Sequence, residues 1–394
     1  MNGYIKWKCL IRKGNSIIDI SNYITGIRTS KSFQSTNNSA TIEVLDNDIL
    51  YPNGVFFPEE DSPVEIYAKL VTSTADAELT LNDNIWTGKY MDFKRSESLD
   101  ERRLTLKIVD WGFDIFNKFS KTNYFNKGFR TNEVIIDMVK QAVENNDGTG
   151  LYPLNFVNVA SLRNDGTPFP VIEYSEHTKP NSEMIEELGG ITWTNTELEQ
   201  NNPIVTLPMI FDIRATSVYW FEQTLNQVLV INNDTVLLNI SNSTNNESSS
   251  NFLILDCGLD LNGNPITTFI QNEASTTGTQ KESFKKRGKI AGLNDSYDRE
   301  FHPLKAEAIS QGWSNSEFRD KVRELAKSYS DFWFSHVGVE QPNISVSLPR
   351  LDIELGETVL VNRKNFINGK YRVIQIGQNI GSEWSTTLTL EKQP

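Results

Sequence analysis

The sequence predicts a mainly β protein of the α+β class, with two antiparallel β-barrel domains and a region of helices and loops inserted between them. Three observations predict this fold. Short runs of alternating polar and apolar residues fill the first 120 residues, helical spacing of apolar residues appears in the middle, and alternating runs return after residue 340.

The N-terminal runs are short and bounded by Asn, Asp and Gly residues, which are typical of turns. They cover 5–11, 40–45, 64–71 and 104–109. Each run presents one apolar face, as a strand with one side against a core does. The spacing therefore predicts a first β-barrel domain over residues 1–120.

The middle of the chain carries helical patterns. Thr131 is a candidate cap for a helix that ends before residue 145, and residues 182–188 form a shorter candidate helix. Prolines at 153, 168, 170 and 180 predict a loop over residues 150–180, between the two helices. We therefore expect a region rich in helices and loops over residues 121–215.

Residues 216–302 are predicted to be a mixed α/β segment. Ser217 is a candidate cap for a helix whose apolar face carries Val218, Phe221, Leu225, Val228 and Leu229. The polar tract 241–251 is too poor in apolar groups to pack, which predicts an exposed loop between the strand-like runs 235–240 and 252–255.

The C-terminal third has the most regular pattern. Ser314 and Glu317 have the spacing of a capping box, and an amphipathic helix is predicted over 317–334. Four alternating runs follow, at 343–348, 357–361, 371–376 and 384–391. Residues 303–394 are therefore predicted to complete a second β-barrel.

Two hairpin-like segments resemble each other. Gly88-Lys89-Tyr90 leads to Leu104-Thr105-Leu106, and Gly369-Lys370-Tyr371 leads to Leu388-Thr389-Leu390. Two related β-barrels in one chain would explain the echo, although any two amphipathic hairpins share such a pattern. A chain with two similar barrels can occupy two positions of a ring, so that a trimer imitates a hexamer.

The composition excludes several classes of function. Lys and Arg total 38 against 51 Asp and Glu, a net charge of −13, which argues against a groove for stable nucleic-acid binding. We expect no membrane-spanning segment and no signal peptide. Two cysteines, Cys9 and Cys257, cannot build a disulfide framework, and three histidines leave little room for a His-based metal site.

Catalytic motifs are also missing from the sequence. It contains no phosphate-binding glycine loop, no HExxH and no nucleophile elbow. We interpret His302 and His336 as surface residues, and the carboxylates at 59–61 and 186–187 as solvated. The prediction is therefore a protein that is not an enzyme, with no catalytic residue, no cofactor and no metal ligand.

Two further features leave alternatives open. The basic run 281–289 either contacts a nucleic acid or an acidic partner, or is a solvated loop. The aromatic clusters 219–221 and 332–334 belong either to packing and interfaces or to a stacking platform.

The order of these features resembles the phage tail baseplate hub family, including late-control-D-like proteins. Near the start, the resemblance lies in residues 19–27 and 39–44. Near the end, it lies in residues 349–361, in Gly-Lys-Tyr-Arg-Val-Ile-Gln-Ile at 369–376 and in Trp-Ser-Thr-Thr-Leu-Thr-Leu at 384–390. It covers about the first 120 and the last 90 residues, whereas residues 121–300 do not align.

The resemblance implies tail-tube-like barrels and a homotrimeric hub of pseudo-sixfold symmetry with an axial channel for DNA. The implied partners are the tail tube or a distal tail protein, the central spike and other baseplate proteins. The implied location is the virion, after synthesis in the host cytoplasm. Two alternatives remain: a receptor- or carbohydrate-binding tail-tip module, and a hydrolase within residues 150–300.

Overall fold

The structure of the chain is a computed structural model. The described residues are 4–32, 38–45, 58–59, 61–72, 78–97, 102–119, 122, 124, 128–144, 154–164, 166, 168–169, 180–190, 209–214, 217–222, 227–245, 252–271, 291–294, 302–336, 341–349 and 352–392.

Strands dominate the described part of the chain, which confirms the predicted mainly β, α+β fold class. The strands are β1 (Tyr4–Lys13), β2 (Ser16–Asp19), β3 (Ile24–Ser32), β4 (Ser39–Leu45), β5 (Pro63–Val71), β6 (Asn84–Glu97), β7 (Arg102–Asp110), β8 (Asn155–Val159), β9 (Met209–Arg214), β10 (Ser217–Glu222), β11 (Gln227–Asn232), β12 (Asn239–Asn245), β13 (Phe252–Leu259), β14 (Pro265–Gln271), β15 (Ala291–Asn294), β16 (Gln341–Pro349), β17 (Thr358–Asn362), β18 (Gly369–Ile380) and β19 (Trp384–Lys392). The helices are α1 (Gly112–Asn117), α2 (Thr131–Val143), α3 (Asn181–Gly190), α4 (His302–Gln311) and α5 (Asn315–His336).

A 13-stranded sheet holds both ends of the chain together. Strands β1 to β7 curl around one apolar core, and we call them the N-terminal β unit. Strands β11, β12 and β16 to β19 surround a second core and form the C-terminal β unit. Strand β18 pairs with β3, so that the two units share one continuous sheet.

The two β units have the same order of strands. The N-terminal unit reads β3-β4-β7-β6-β5-β1 and the C-terminal unit reads β12-β16-β19-β18-β17-β11. The chain visits equivalent positions in the same sequence in both. The one difference in direction is that β1 runs antiparallel to β5, whereas β11 runs parallel to β17. The chain therefore contains a duplicated sheet.

Local geometry repeats at equivalent places in the two units. In β6 a β-bulge places Met91 between Tyr90 and Asp92, and in β18 a bulge places Ile374 between Val373 and Gln375. The strand preceding each hairpin also begins in the same way. Asp61 (φ 63°) donates its N–H to the Tyr90 carbonyl at 3.1 Å, as Gly356 (φ 80°) does to the Val373 carbonyl at 2.9 Å.

The sequence echo is correct about the faces of the hairpins and wrong about their alignment. The matching bulges make Tyr90 equivalent to Val373, which is two residues beyond Tyr371. Side chains in a strand alternate with a period of two, so a two-residue shift leaves each one on the same face. Equivalent core positions are therefore apolar in both units: Ala40 and Ile344, Ile42 and Val346, Val44 and Leu348, Leu106 and Leu388, Ile108 and Leu390.

A separate core lies in the inserted region, where α1, α2 and α3 pack with strands β8 to β10. The helix predicted at Thr131 is confirmed, although Thr131 is its first residue and not its cap. The Glu133 carboxylate accepts the Arg130 N–H at 2.8 Å, which satisfies one of the N–H groups at the helix start. The short helix predicted over 182–188 is confirmed as α3.

The helix predicted to begin at Ser217 is wrong. Residues 217–222 form β10, in which Val218, Trp220 and Glu222 are buried and the residues between them are half-buried. Successive Tyr, Trp and Phe side chains favour a strand, because aromatic residues pack well on a pleated surface. Residues 227–232 form β11 and not a continuation of a helix.

The predicted loop over 241–251 is wrong in its first part. Residues 239–245 form strand β12, which pairs antiparallel with β16 from Asn239 opposite Ser347 to Asn245 opposite Gln341. Two strands of the predicted mixed segment, β11 and β12, therefore belong to the C-terminal sheet. The boundaries at 120, 215 and 302 stay a prediction.

A smaller packing unit joins β13, β14 and β15 to helices α4 and α5. The predicted capping box is confirmed: Ser314 donates its N–H to the Glu317 carboxylate at 2.7 Å, and Glu317 donates its N–H to the Ser314 hydroxyl at 3.3 Å. The buried Asp260 carboxylate accepts from Asn315 at 3.0 Å and Arg319 at 2.6 Å. These bonds, with that of Asn315 foremost, lower the pKa of Asp260 and tie the β13–β14 turn to α5.

In the parts of the chain that the structure describes, we find no helix that is both long and apolar enough to cross a membrane.

Gly356 allows the C-terminal β unit and the inserted region to pack closely against each other. Its φ of +80° favours glycine, and a Cβ atom there would lie 2.1 Å from Cδ1 of the buried Ile210 in β9. Gly263 has a similar φ of +82°, but a Cβ atom there would meet nothing within 4 Å. The two glycines therefore separate backbone strain from overpacking.

We predict that Gly356→Ala lowers the free energy of unfolding by about 2–4 kcal/mol, because left-handed backbone strain adds to a steric clash. Gly263→Ala is the control and should cost about 1 kcal/mol, from the strain alone. Urea unfolding followed by circular dichroism measures both. Equal losses for the two variants would contradict the tight contact with Ile210.

A candidate assembly seam between the two β units

Strand β18 lies at the junction of the two β units. Along one edge it pairs with β19 from Tyr371 to Ile380. Along the other edge, its first part pairs with β17 up to Arg372, and its second part, Gln375–Ile380, pairs with Ser32–Ile27 of β3. We call the β18–β3 ladder the internal seam.

Most side chains of the internal seam are polar, and the pair Ile380 and Ile27 at its end is apolar. Thr29 donates its hydroxyl to the Gln378 side-chain oxygen at 3.3 Å across the two strands. Ile380 and Trp384 pack into the core of the N-terminal β unit, although they belong to the β18–β19 hairpin of the other. Backbone pairing and a shared core therefore hold the two units together.

Charge is distributed unequally across the internal seam. The β18 half, from Gln375 to Ile380, carries no charged residue, whereas the β3 half carries Arg28 and Lys31. Like charges directly opposite each other would destabilise a pair of strands, and the internal seam contains no such pair.

A buried carboxylate, Asp110, lies at the end of β7 near this seam. It accepts the Asn38 amide at 2.8 Å and the Phe113 N–H at 3.2 Å. Burial raises the pKa of Asp110 to about 7, and the negative charge of Asp212 adds to this while Lys31 opposes it. No sequence pattern indicates this group, because its burial depends on segments far apart in the chain.

A second polar junction joins the inserted region to the C-terminal β unit. The Arg214 guanidinium donates to Asp212 at 2.8 Å and lies 3.6 Å from the Glu354 carboxylate. It also lies over the ring of Tyr219, 4.5 Å from the ring centre. Trp220 in the same strand is completely buried. The aromatic cluster 219–221 therefore serves packing, as one of the two sequence-based interpretations proposed.

The other candidates from the sequence do not come together. Asp61 pairs with the buried Lys89 at 2.6 Å, which also contacts Asp114 at 2.9 Å. His302 and His336 lie at the start of α4 and the end of α5. The basic run 281–289 and the side chains of Glu186, Glu187 and residues 332–334 lie outside the described part of the structure.

The chemistry-bearing groups that the structure describes show no metal-binding cluster of His, Cys, Asp and Glu. Cys9 and Cys257 are both buried thiols, and burial raises the pKa of Cys9 well above its usual range. A buried neutral thiol is a poor nucleophile. Among the described residues, the strand edges and the internal seam are therefore the features best suited to a function, which is assembly.

Comparisons with known proteins identify the fold. No protein-family model and no curated protein match the sequence. A tail protein from Neisseria meningitidis MC58 superimposes with a TM-score of 0.56 and 9% identity, covering 98% of this chain and 96% of that one. The 43 kDa tail protein of prophage MuSo2 from Shewanella oneidensis gives 0.53 and 10%, covering 97% of both chains. The chain has the fold of phage tail proteins.

A chain of the Francisella PdpA–VgrG complex also matches, with a TM-score of 0.50 and 10% identity, covering 99% of this chain and 53% of that one. These matches confirm at the level of the fold the resemblance that the sequence indicated. They cover nearly the whole chain, whereas the sequence resemblance covers only its two ends.

The titration of Asp110 predicts a specific dependence of stability on pH. Its pKa rises from 3.8 in the unfolded chain to about 7 in the folded one, so the folded state binds this proton more tightly. The contribution of Asp110 to the free energy of unfolding therefore falls as the pH rises between these two pKa values. The total decrease is on the order of 2–4 kcal/mol.

The variant Asp110→Asn should remove this fall, because an amide keeps the shape and does not titrate. We expect its unfolding midpoint to exceed that of the original chain at pH 8, with a smaller difference at pH 5. The control is Asp320→Asn, an exposed carboxylate in α5. Thermal unfolding at four pH values measures the effect, and parallel profiles for the original chain and Asp110→Asn would contradict it.

Proposed function

We propose that this chain is a structural component of a phage tail, the baseplate hub at the tail tip that connects the tail tube to the central spike. The observation that supports this most is the duplicated β unit, with equivalent strand order and equivalent bulges in both halves. The fold shared with the tail proteins of Neisseria meningitidis and prophage MuSo2 supports it independently.

A duplicated sheet suits a ring. A cyclic assembly forms when one surface of a subunit binds a different surface of the next and the rotation closes. Two similar units per chain fill six similar positions with three chains. In this proposal the hub is a homotrimer of pseudo-sixfold symmetry, which presents six similar β units around an axis.

The proposal gives the hub an axial channel through which DNA passes without stable binding. The net charge of −13 supports an acidic channel wall, since like charges repel the phosphates and no counterions are released. The proposed partners are the tail tube or a distal tail protein above, the spike below and other baseplate proteins around the ring. The proposed location is the virion.

The proposed role is structural and not catalytic. Two described carboxylates, Asp260 and Asp61, bind Asn, Arg or Lys side chains that tie elements of the fold together. Buried Trp220 offers no open face to a sugar ring. The assembly role therefore has better support than the alternatives of glycan binding or hydrolysis.

The first test is the mass of the purified chain in solution. We predict that size-exclusion chromatography with light scattering gives three times the mass of one chain at micromolar concentration. A monomer at every concentration tested would contradict the hub proposal. If that monomer also bound immobilised glycans, the receptor-binding module would replace it.

The second test concerns the channel. Fluorescent duplex DNA titrated with the chain at about 0.15 M salt should show no rise in anisotropy, because an acidic surface gains no counterion release. A basic DNA-binding protein of similar mass serves as the positive control. Tight binding that weakens steeply with salt would contradict a channel that DNA merely traverses.

A further inference from the structure

The equivalence of the two β units has a consequence for strand edges. In the C-terminal unit, β18 pairs with β17 and then, beyond the bulge at Ile374, with β3. In the N-terminal unit, β6 pairs with β5 only up to Lys89, before the equivalent bulge at Met91. Among the described strands, none pairs with the second part of β6, Asp92–Glu97, on the edge opposite to β7.

The complementary edge belongs to β12. This strand is equivalent to β3, which pairs with β4 on one edge and with β18 on the other. Strand β12 pairs with β16 on one edge and ends the described order of the sheet on the other. Each chain therefore carries one half of a second seam at β6 and the other half at β12.

We infer that Asp92–Glu97 of one chain pairs antiparallel with Asn245–Ile240 of a second copy, forming an external seam that repeats the internal one. This inference rests on the trimer of the proposed function. Six alternating seams, three internal and three external, then connect six β units in one ring. The contact is head-to-tail, because β6 of each chain meets β12 of the next.

The internal seam fixes the register of the external one. The matching bulges make Ser96 equivalent to Asn379, and the matching ladders in β12 and β3 make Ser241 equivalent to Arg28. Arg28 lies opposite Asn379 in the internal seam. Ser96 of one chain therefore lies opposite Ser241 of the next, and Arg95 lies opposite Asn242.

The composition of β12 supports an edge that another strand covers. Exposed edge strands usually carry charges or prolines that prevent pairing with other chains. The residues of β12 are Asn-Ile-Ser-Asn-Ser-Thr-Asn, with neither a charge nor a proline. The β6 half carries Asp92, Lys94, Arg95 and Glu97, so the external seam again places a charged strand against an uncharged one, as the internal seam does.

In the single chain, one backbone N–H group of the β6 half forms a local hydrogen bond. The Phe93 N–H donates to the Asp92 carboxylate at 2.7 Å, which is a bond within one strand and not to another. The side chains of Lys94 and Ser96 are exposed. A second chain would replace local bonding of this kind with a regular ladder.

Disulfide trapping tests the register directly. In the double variant Ser96→Cys/Ser241→Cys, directly opposite residues have Cα atoms about 4.5–5.5 Å apart, within disulfide range. Mild oxidation should therefore give covalent dimers and trimers on non-reducing gels. The internal positive control is Arg28→Cys/Asn379→Cys, the equivalent pair, which should crosslink within one chain and leave its mass unchanged.

The matched negative control is Ser96→Cys/Asn242→Cys, because a one-residue shift places the second thiol on the opposite face. Trimers that crosslink as readily through Asn242→Cys as through Ser241→Cys would overturn the register. Trimers in light scattering with no crosslink from Ser96→Cys/Ser241→Cys would overturn the external seam and leave the hub proposal standing. A chain that stays monomeric would overturn both.

A charge pair gives a second test that needs no oxidation. Asn242→Arg places a like charge opposite Arg95 and should weaken trimer formation by roughly fivefold, whereas Asn242→Glu should preserve or strengthen it. Dilution series in light scattering measure both, and circular dichroism checks that both variants fold. Equal weakening by the two substitutions would overturn the predicted contact.

Discussion

Strand β18 joins the two β units because it forms ladders in both of them. Its first part completes the C-terminal sheet against β17, and its second part continues into the N-terminal sheet against β3. Ile380 and Trp384 then carry the hairpin into the other core. Each buried ladder hydrogen bond contributes about 1 kcal/mol net, and the apolar contacts add to it. The two β units are therefore joined through a ladder and a shared core.

Much of the fold could be predicted because short sequence patterns determine its strands and helices. The strand at 384–391 alternates between buried and more exposed residues, and the Ser314–Glu317 box marks the start of α5. The prediction failed at Ser217, where apolar residues fit a helix and a strand equally well over a short window. There, successive aromatic residues favoured β10.

The rest could not be predicted because it depends on contacts between distant parts of the chain. The echo at Gly88 and Gly369 revealed a repeat but misplaced it by two residues, since alternation fixes a face and not a register. The pairing of β12 with β16 joins residues about a hundred positions apart, and the polar residues 241–245 are typical of a loop. Buried Asp110 depends in the same way on Asn38, which lies directly before β4.

The most direct measurement of the central claim is electron cryomicroscopy of the purified assembly, viewed along its axis. We expect a closed annulus of three chains with six similar β units and a continuous passage through the centre. An assembly in which the β units are not equivalent around the axis, or one with no axial passage, would contradict it.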